Sequence, residues 1–120
     1  MKQAEAREQA LGALYAADSR GLEEIDITKI SQRAAGLAEG TWIGREEIDA
    51  VITANASKWR IERMPVVDRN ILRLGVYELE NSDLSRAIVI SEAVELAKKF
   101  STAKSGAFIN GVLSAVAEAG

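Results

Sequence analysis

The chain contains no cysteine and no histidine. Disulfides, thiolate nucleophiles, an imidazole base and zinc sites of the usual ligand types are therefore excluded, and most common enzyme chemistries go with them. Proline occurs once, and aromatic residues make up only 5% of the 120 residues. A chain so poor in helix breakers, and dominated by Ala, Leu, Glu, Lys and Arg, suits helices far better than strands. No apolar run approaches the roughly 18 residues needed to cross a bilayer, and the start, Met1-Lys2-Gln3-Ala4-Glu5, lacks the apolar stretch of a secretory signal. A cytoplasmic protein is expected. The length fits one domain over residues 1–120, burying roughly two-thirds of the surface its unfolded chain exposes.

The formal net charge of -3 runs against the surplus of Lys and Arg that phosphate binding normally needs. Its distribution qualifies that. Residues 1–57 carry six basic and ten acidic side chains, whereas residues 58–120 carry nine basic and eight acidic. The acidity sits in the first half, and the second half is open to an anionic partner.

Apolar spacing predicts five main helices. The first covers residues 3–20, with Ala6, Ala10, Leu11, Leu14 and Ala17 on one face and Gly21 as its stop. An acidic connector leads to Thr28, a suitable N-cap for a long second helix running toward Trp59. Gly36, Gly40 and Gly44 weaken that helix and predict a bend or break near residues 40–44; they also share a face that would admit a close helix crossing. Met64 and Pro65 set the next boundary, because proline holds its predecessor extended and is tolerated at a first helical position. The third helix follows over residues 65–79, the fourth over 86–100 and the fifth over 105–119.

Three blocks stand in order along this framework. The first helix carries Ala6-Arg7-Glu8 and Ala13-Leu14-Tyr15; the third carries Val67-Asp68-Arg69, Ile71-Leu72-Arg73 and Tyr77-Glu78-Leu79 behind Met64-Pro65; the fifth carries Phe108-Ile109-Asn110-Gly111-Val112-Leu113. In order and spacing, over nearly the whole chain, this pattern resembles the NusB family of bacterial transcription antitermination factors. The resemblance implies an all-α fold of two small helical bundles packed across one another. It implies no catalysis and no cofactor, but assembly: pairing with a ribosomal protein, NusE, binding of single-stranded boxA RNA, and membership of the RNA polymerase antitermination complex on ribosomal RNA operons. A homodimer is also possible in such a family.

The resemblance further implies site residues. Tyr15, Asp18 and Glu78 fall to the partner protein. Lys2, Arg7, Lys98, Ser101, Thr102, Lys104, Ser105, Phe108 and Asn110 fall to RNA. The chain departs from the family at its N-terminus, where an arginine-rich run is represented only by Lys2 and Arg7 among Glu5 and Glu8. Either the start lies upstream, or the protein leans more on its partner and its other basic positions.

Each residue also has a plainer reading. Lys98, Lys99 and Lys104 bracket a turn whose cations, hydroxyls and nearby Phe108 suit phosphates and unpaired bases. They equally suit a solvated helix end, with Ser101 or Ser105 as a cap and Phe108 in the core. Tyr15 fits an interface or a core edge. Asp68, Arg69 and Arg73, behind Lys58, Arg60 and Arg63, form a charged cluster that would suit a phosphate; in the plainer and stronger reading Asp68 serves the helix start and the arginines pair with acids of neighbouring helices. Asn110 either fastens the preceding turn or faces RNA, Gly111 permits close packing, and Trp42 and Trp59 belong to packing between helices. Two other functions compete: an adaptor that binds only protein, and the NusB-like module of ribosomal RNA methyltransferases. The second needs a cofactor fold and a cysteine nucleophile that this sequence lacks.

Overall fold

A computed structural model describes residues 2–56 and 58–120, and among them the regular structure is entirely helical. The helices are α1 (Gln3–Ser19), α2 (Gln32–Ile43), α3 (Arg45–Asn55), α4 (Val66–Asn81), α5 (Arg86–Phe100) and α6 (Ala103–Ala119), with a 3₁₀ turn at Ile61–Arg63. α1, α2 and α3 pack together, α5 packs with α6, and α4 touches all five other helices. This is the expected architecture of two small bundles crossed over one another, with α4 shared by both.

Local chemistry explains most boundaries. α1 closes in a Schellman turn: Gly21 has φ +64°, its N–H donates to the Asp18 carbonyl at 3.1 Å, and the Leu22 N–H donates to the Ala17 carbonyl at 2.9 Å. Ser31, not Thr28, caps α2 by accepting from the Ala34 N–H at 3.1 Å. Thr28 is occupied elsewhere, since its N–H and hydroxyl both donate to Asp26 Oδ1. The long second helix expected from the sequence is two helices. Gly44 ends α2 and begins α3, and the carbonyl of Trp42 at that break accepts from Arg45 Nη1 at 2.7 Å while the guanidinium lies 4.1 Å over the Trp42 ring. α3 stops at Asn55, so Trp59 lies outside any helix. Thr102 caps α6, rather than Ser101 or Ser105.

Of the three glycines expected to share a crossing, Gly40 makes it: a Cβ there would overlap the Tyr77 ring of α4. Gly111, expected to admit a neighbouring helix, has open space where a Cβ would be.

α4 departs furthest from a simple stripe. Asp68, Asn70, Arg73 and Glu78 are buried beside Ile71, Leu72, Leu74 and Val76. A helix packed against five others must take polar residues inside, and each then needs a partner. Arg7 donates from Nε to Glu78 Oε1 at 2.7 Å and from Nη2 to Oε2 at 2.9 Å, joining α1 to α4. Asp18 accepts from Arg69 Nε at 2.6 Å, Arg69 Nη2 at 2.7 Å, Asn70 Nδ2 at 2.7 Å and Arg73 Nη1 at 3.0 Å. Arg73 also reaches Asp49 of α3 in a second two-point contact. Burial alone would raise the Asp18 carboxyl, but the hydrogen bonds of Arg69 and Asn70 and the charges of Arg73 and Arg69 outweigh it and hold the group below the usual carboxylate value.

Candidate nucleic-acid interface

These ion pairs reassign three of the expected site residues. Arg7 is 3% exposed and Glu78 5%, and each is the other's two-point partner across α1 and α4. Asp18 is committed to Arg69, Asn70 and Arg73, so its carboxylate ties helices together rather than facing a partner. In a sequence these groups look like surface charges, because the residues that neutralise them stand 51 to 71 positions away.

Tyr15 is 46% exposed on α1, which places its ring at the surface rather than in the core. Lys2 is exposed at the N-cap of α1.

The turn between α5 and α6 is built by hydroxyls. The Ser101 and Thr102 hydroxyls donate to Ser105 Oγ at 3.1 and 3.0 Å, and Ser105 Oγ donates to Asp68 Oδ2 at 2.8 Å. Their protons are spoken for, and the relay pins the turn onto the start of α4. The three hydroxyls expected at phosphates thus meet one another and Asp68.

The three lysines split between two surfaces. Lys98 and Lys99 line a groove of about 430 Å³ between α1 and α5, where Lys98 pairs with Glu95 at 3.6 Å and Lys99 with Glu8 at 2.8 Å. Exposed pairs of this kind contribute about 0–1 kcal/mol and open readily to a phosphate. Lys104 makes no ion pair or hydrogen bond among the described residues and stands on the rim of a second, larger groove of about 590 Å³. Phe108 and Trp59 flank that groove with their rings edge to face, centroids 6.2 Å apart and planes at 66°. Trp59 is 53% exposed, against the expectation that it packs between helices, while Trp42 is buried and donates from its indole to the Glu23 carbonyl at 2.7 Å. Phe108 is half-buried: its ring packs against the core and also reaches the groove. Asn110 faces solvent and accepts from Ser114 at 3.1 Å, so it does not fasten the preceding turn.

The structure therefore gathers Lys104, Phe108, Trp59 and the buried Asp68 at one groove. Trp59 and Asp68 were not among the expected site residues. Trp59 had a signal in retrospect, standing behind Lys58 in a stretch that Met64 and Pro65 end; Asp68 had none, since an acid in a first helical turn has a sufficient local reason to be there. An exposed indole and a half-buried phenyl ring beside a free cation suit the faces of unpaired bases and the phosphates between them.

Comparison with known proteins bears on the whole chain. The model of the NusB family matches residues 4–118. Among curated relatives, the transcription antitermination protein NusB of Acidothermus cellulolyticus is 44% identical, with 92% of this chain and 83% of that protein covered. NusB of a Nitratiruptor species is 46% identical, covering 95% and 90%. Among solved structures, T. maritima NusB superposes with a TM-score of 0.84 at 32% identity, over 98% of this chain and 92% of that one. A crystal structure of the antitermination factors NusB and NusE in complex with double-stranded RNA matches with a TM-score of 0.81 at 32% identity, over 100% of both chains. Alike in sequence and in fold from end to end, the chain belongs to the NusB family of transcription antitermination proteins.

Proposed function

We propose that this chain pairs with ribosomal protein NusE and, with it, binds single-stranded boxA RNA during transcription of ribosomal RNA operons. The observation that carries this reading is the groove lined by the exposed Trp59 ring and the half-buried Phe108 ring, with the uncommitted Lys104 beside them. The likeness to a NusB crystallised with NusE and RNA supports it. Residues 1–120 act as one domain in the cytoplasm and catalyse nothing. The work is assembly: holding RNA and partner on one surface raises the effective concentration of each for the other and for the polymerase complex. Tyr15 is the partner contact on α1, since an apolar ring with a polar tip desolvates well at an interface. Lys2, Lys98, Lys104, Phe108 and Asn110 face the RNA, with the lysines positioning the strand through phosphates.

A second reading, an adaptor that binds only protein, is favoured by one observation. The burial of Arg7 leaves Lys2 as the one basic side chain free to meet RNA among the described residues of the N-terminal segment. Titration of labelled boxA RNA with the chain, alone and with NusE, separates the two. Weak binding alone that strengthens with NusE supports the first reading; no contribution of the chain to RNA affinity in either arm supports the second.

A further inference from the structure

Trp59, Ala107 and Phe108 line two grooves rather than one. The first is the groove at Lys104; the second, of about 270 Å³, is also walled by Lys58 and Gly111, and Lys58 is its only charged lining residue. An occupant can reach it, because Lys58, Trp59, Ala107 and Gly111 are all exposed. Lys58, like Lys104, makes no ion pair or hydrogen bond among the described residues. On α6, Ala107, Phe108 and Gly111 stand three, four and seven positions beyond Lys104, so the four share one face over two turns.

Gly111 is the residue on that face that packing does not explain. A glycine inside a helix is destabilising relative to alanine, and a close approach of another element is the usual reason for one, as at Gly40 against Tyr77 and Gly75 against Leu113. At Gly111 a Cβ would meet nothing within 4 Å. Gly12 and Gly36 also have such space, so the gap alone assigns nothing. Gly111 is set apart by the exposed indole, the half-buried phenyl ring and the uncommitted lysine around the same groove.

We propose that the RNA strand runs along this face of α6 past Trp59 and Phe108, so that a further nucleotide lies in the second groove, over Gly111 and with Lys58 at its phosphate. Three features select that occupant. The second groove shares its rings with the first, its one charge is positive, and the indole offers a stacking face that an unpaired base can use. A side chain at position 111 would project into the space the nucleotide takes, which accounts for a glycine where a helix would otherwise favour alanine. The inference rests on the RNA-binding function proposed above and extends its footprint to Lys58 and Gly111.

The test titrates boxA RNA with the full chain and NusE, comparing the parent with Gly111→Leu, Gly111→Ala and Lys58→Gln. Filling the groove with Gly111→Leu should weaken boxA binding about tenfold or more, the loss expected when one stacked base is displaced. Its melting temperature should equal or exceed the parent's, since leucine is the better helix former and meets open space. Its affinity for NusE, measured by calorimetry without RNA, should not change. Gly111→Ala, which adds only a methyl group, should fall between parent and Gly111→Leu in RNA affinity. Lys58→Gln should lower the salt slope by about 0.7 logarithmic units, the share of one phosphate contact. A folded Gly111→Leu that binds boxA RNA as the parent does overturns the proposal while leaving RNA binding intact. So does one that loses NusE instead of RNA, which would make the groove a protein contact. Should Gly111→Leu fail to fold, Lys58→Gln decides, and an unchanged salt slope overturns the proposal. Failure of the parent to bind boxA RNA removes the function and this inference together.

Discussion

Replacing Glu78 with alanine removes the only two-point partner of a guanidinium that is itself buried. Breaking a buried pair from one side costs about 3–5 kcal/mol, because the remaining charge stays out of water uncompensated. Two neighbours soften the loss here: Glu92 Oε1 lies 3.6 Å from Arg7 Nη1, and Gln3 Oε1 accepts from Nη2 at 3.3 Å. The expected cost is therefore at the lower end, about 3 kcal/mol, a large share of the roughly 5–15 kcal/mol that such a domain has. Urea unfolding followed by far-ultraviolet circular dichroism measures it, with an unchanged denaturant slope showing that stability alone has moved. Arg7→Met combined with Glu78→Leu should recover most of the loss, since apolar residues of similar volume replace a buried pair at little or no cost. The same double variant should bind RNA as the parent does, because Arg7 spends its charge on Glu78. A cost below about 1 kcal/mol for Glu78→Ala, or a double variant no more stable than that single one, would refute the reasoning.

Other predictions follow from the same contacts. The depressed Asp18 carboxyl adds stability that is present above its unfolded value of about 4 and lost as pH falls through the lower folded value, so acid unfolding below about pH 4 should be blunted in Asp18→Asn, already less stable at pH 7. The raised Arg69 has the opposite sign, its contribution disappearing only at extreme alkalinity, and with no histidine the melting temperature should vary little between about pH 5 and 8. Gly40→Ala should destabilise by about 1–2 kcal/mol through overlap with Tyr77, whereas Gly111→Ala, which meets open space in a helix interior, should stabilise by about 0.5–1 kcal/mol; thermal melts of the two should move in opposite directions. Tyr15→Asp should leave the melting curve intact and weaken binding to NusE in calorimetry, while unchanged affinity in a folded variant would take Tyr15 out of the interface.

Much of the fold was legible because its signals are local. Gly21, the pair Met64 and Pro65, and the apolar stripe of α5 each mark a boundary through chemistry confined to a few neighbours. The glycines around position 40 announced a break, but its placement at Gly44 depends on Arg45 stacking over Trp42, which spacing alone does not reveal. The family motifs run through all of these elements, which is why the two-bundle architecture could be expected from them.

The candidate site was less legible, because it depends on what lies across the fold. Arg7 and Glu78 stand 71 positions apart and look like surface charges until α4 is seen enclosed by five helices. Lys98 and Lys104 flank one short turn yet line different grooves, since the chain reverses between α5 and α6. An apolar ring at the end of a helical stretch reads as packing, but with α3 ending at Asn55 the Trp59 ring stands at the surface beside Phe108.

The central claim, that this chain and NusE together hold boxA RNA through the surface around the α5–α6 turn, is tested most directly by boxA affinity of the parent and of Lys98→Glu/Lys104→Glu, each alone and with NusE. The account predicts weak binding by the parent alone with a shallow salt dependence, about 0.7 logarithmic units per phosphate contact, and substantially tighter binding when NusE is present. The double variant should lose affinity in both arms, and equally for RNAs of any sequence, because phosphate contacts position without specifying. A folded double variant that binds as tightly as the parent, alone and with NusE, would contradict the account and leave the chain an adaptor for protein alone.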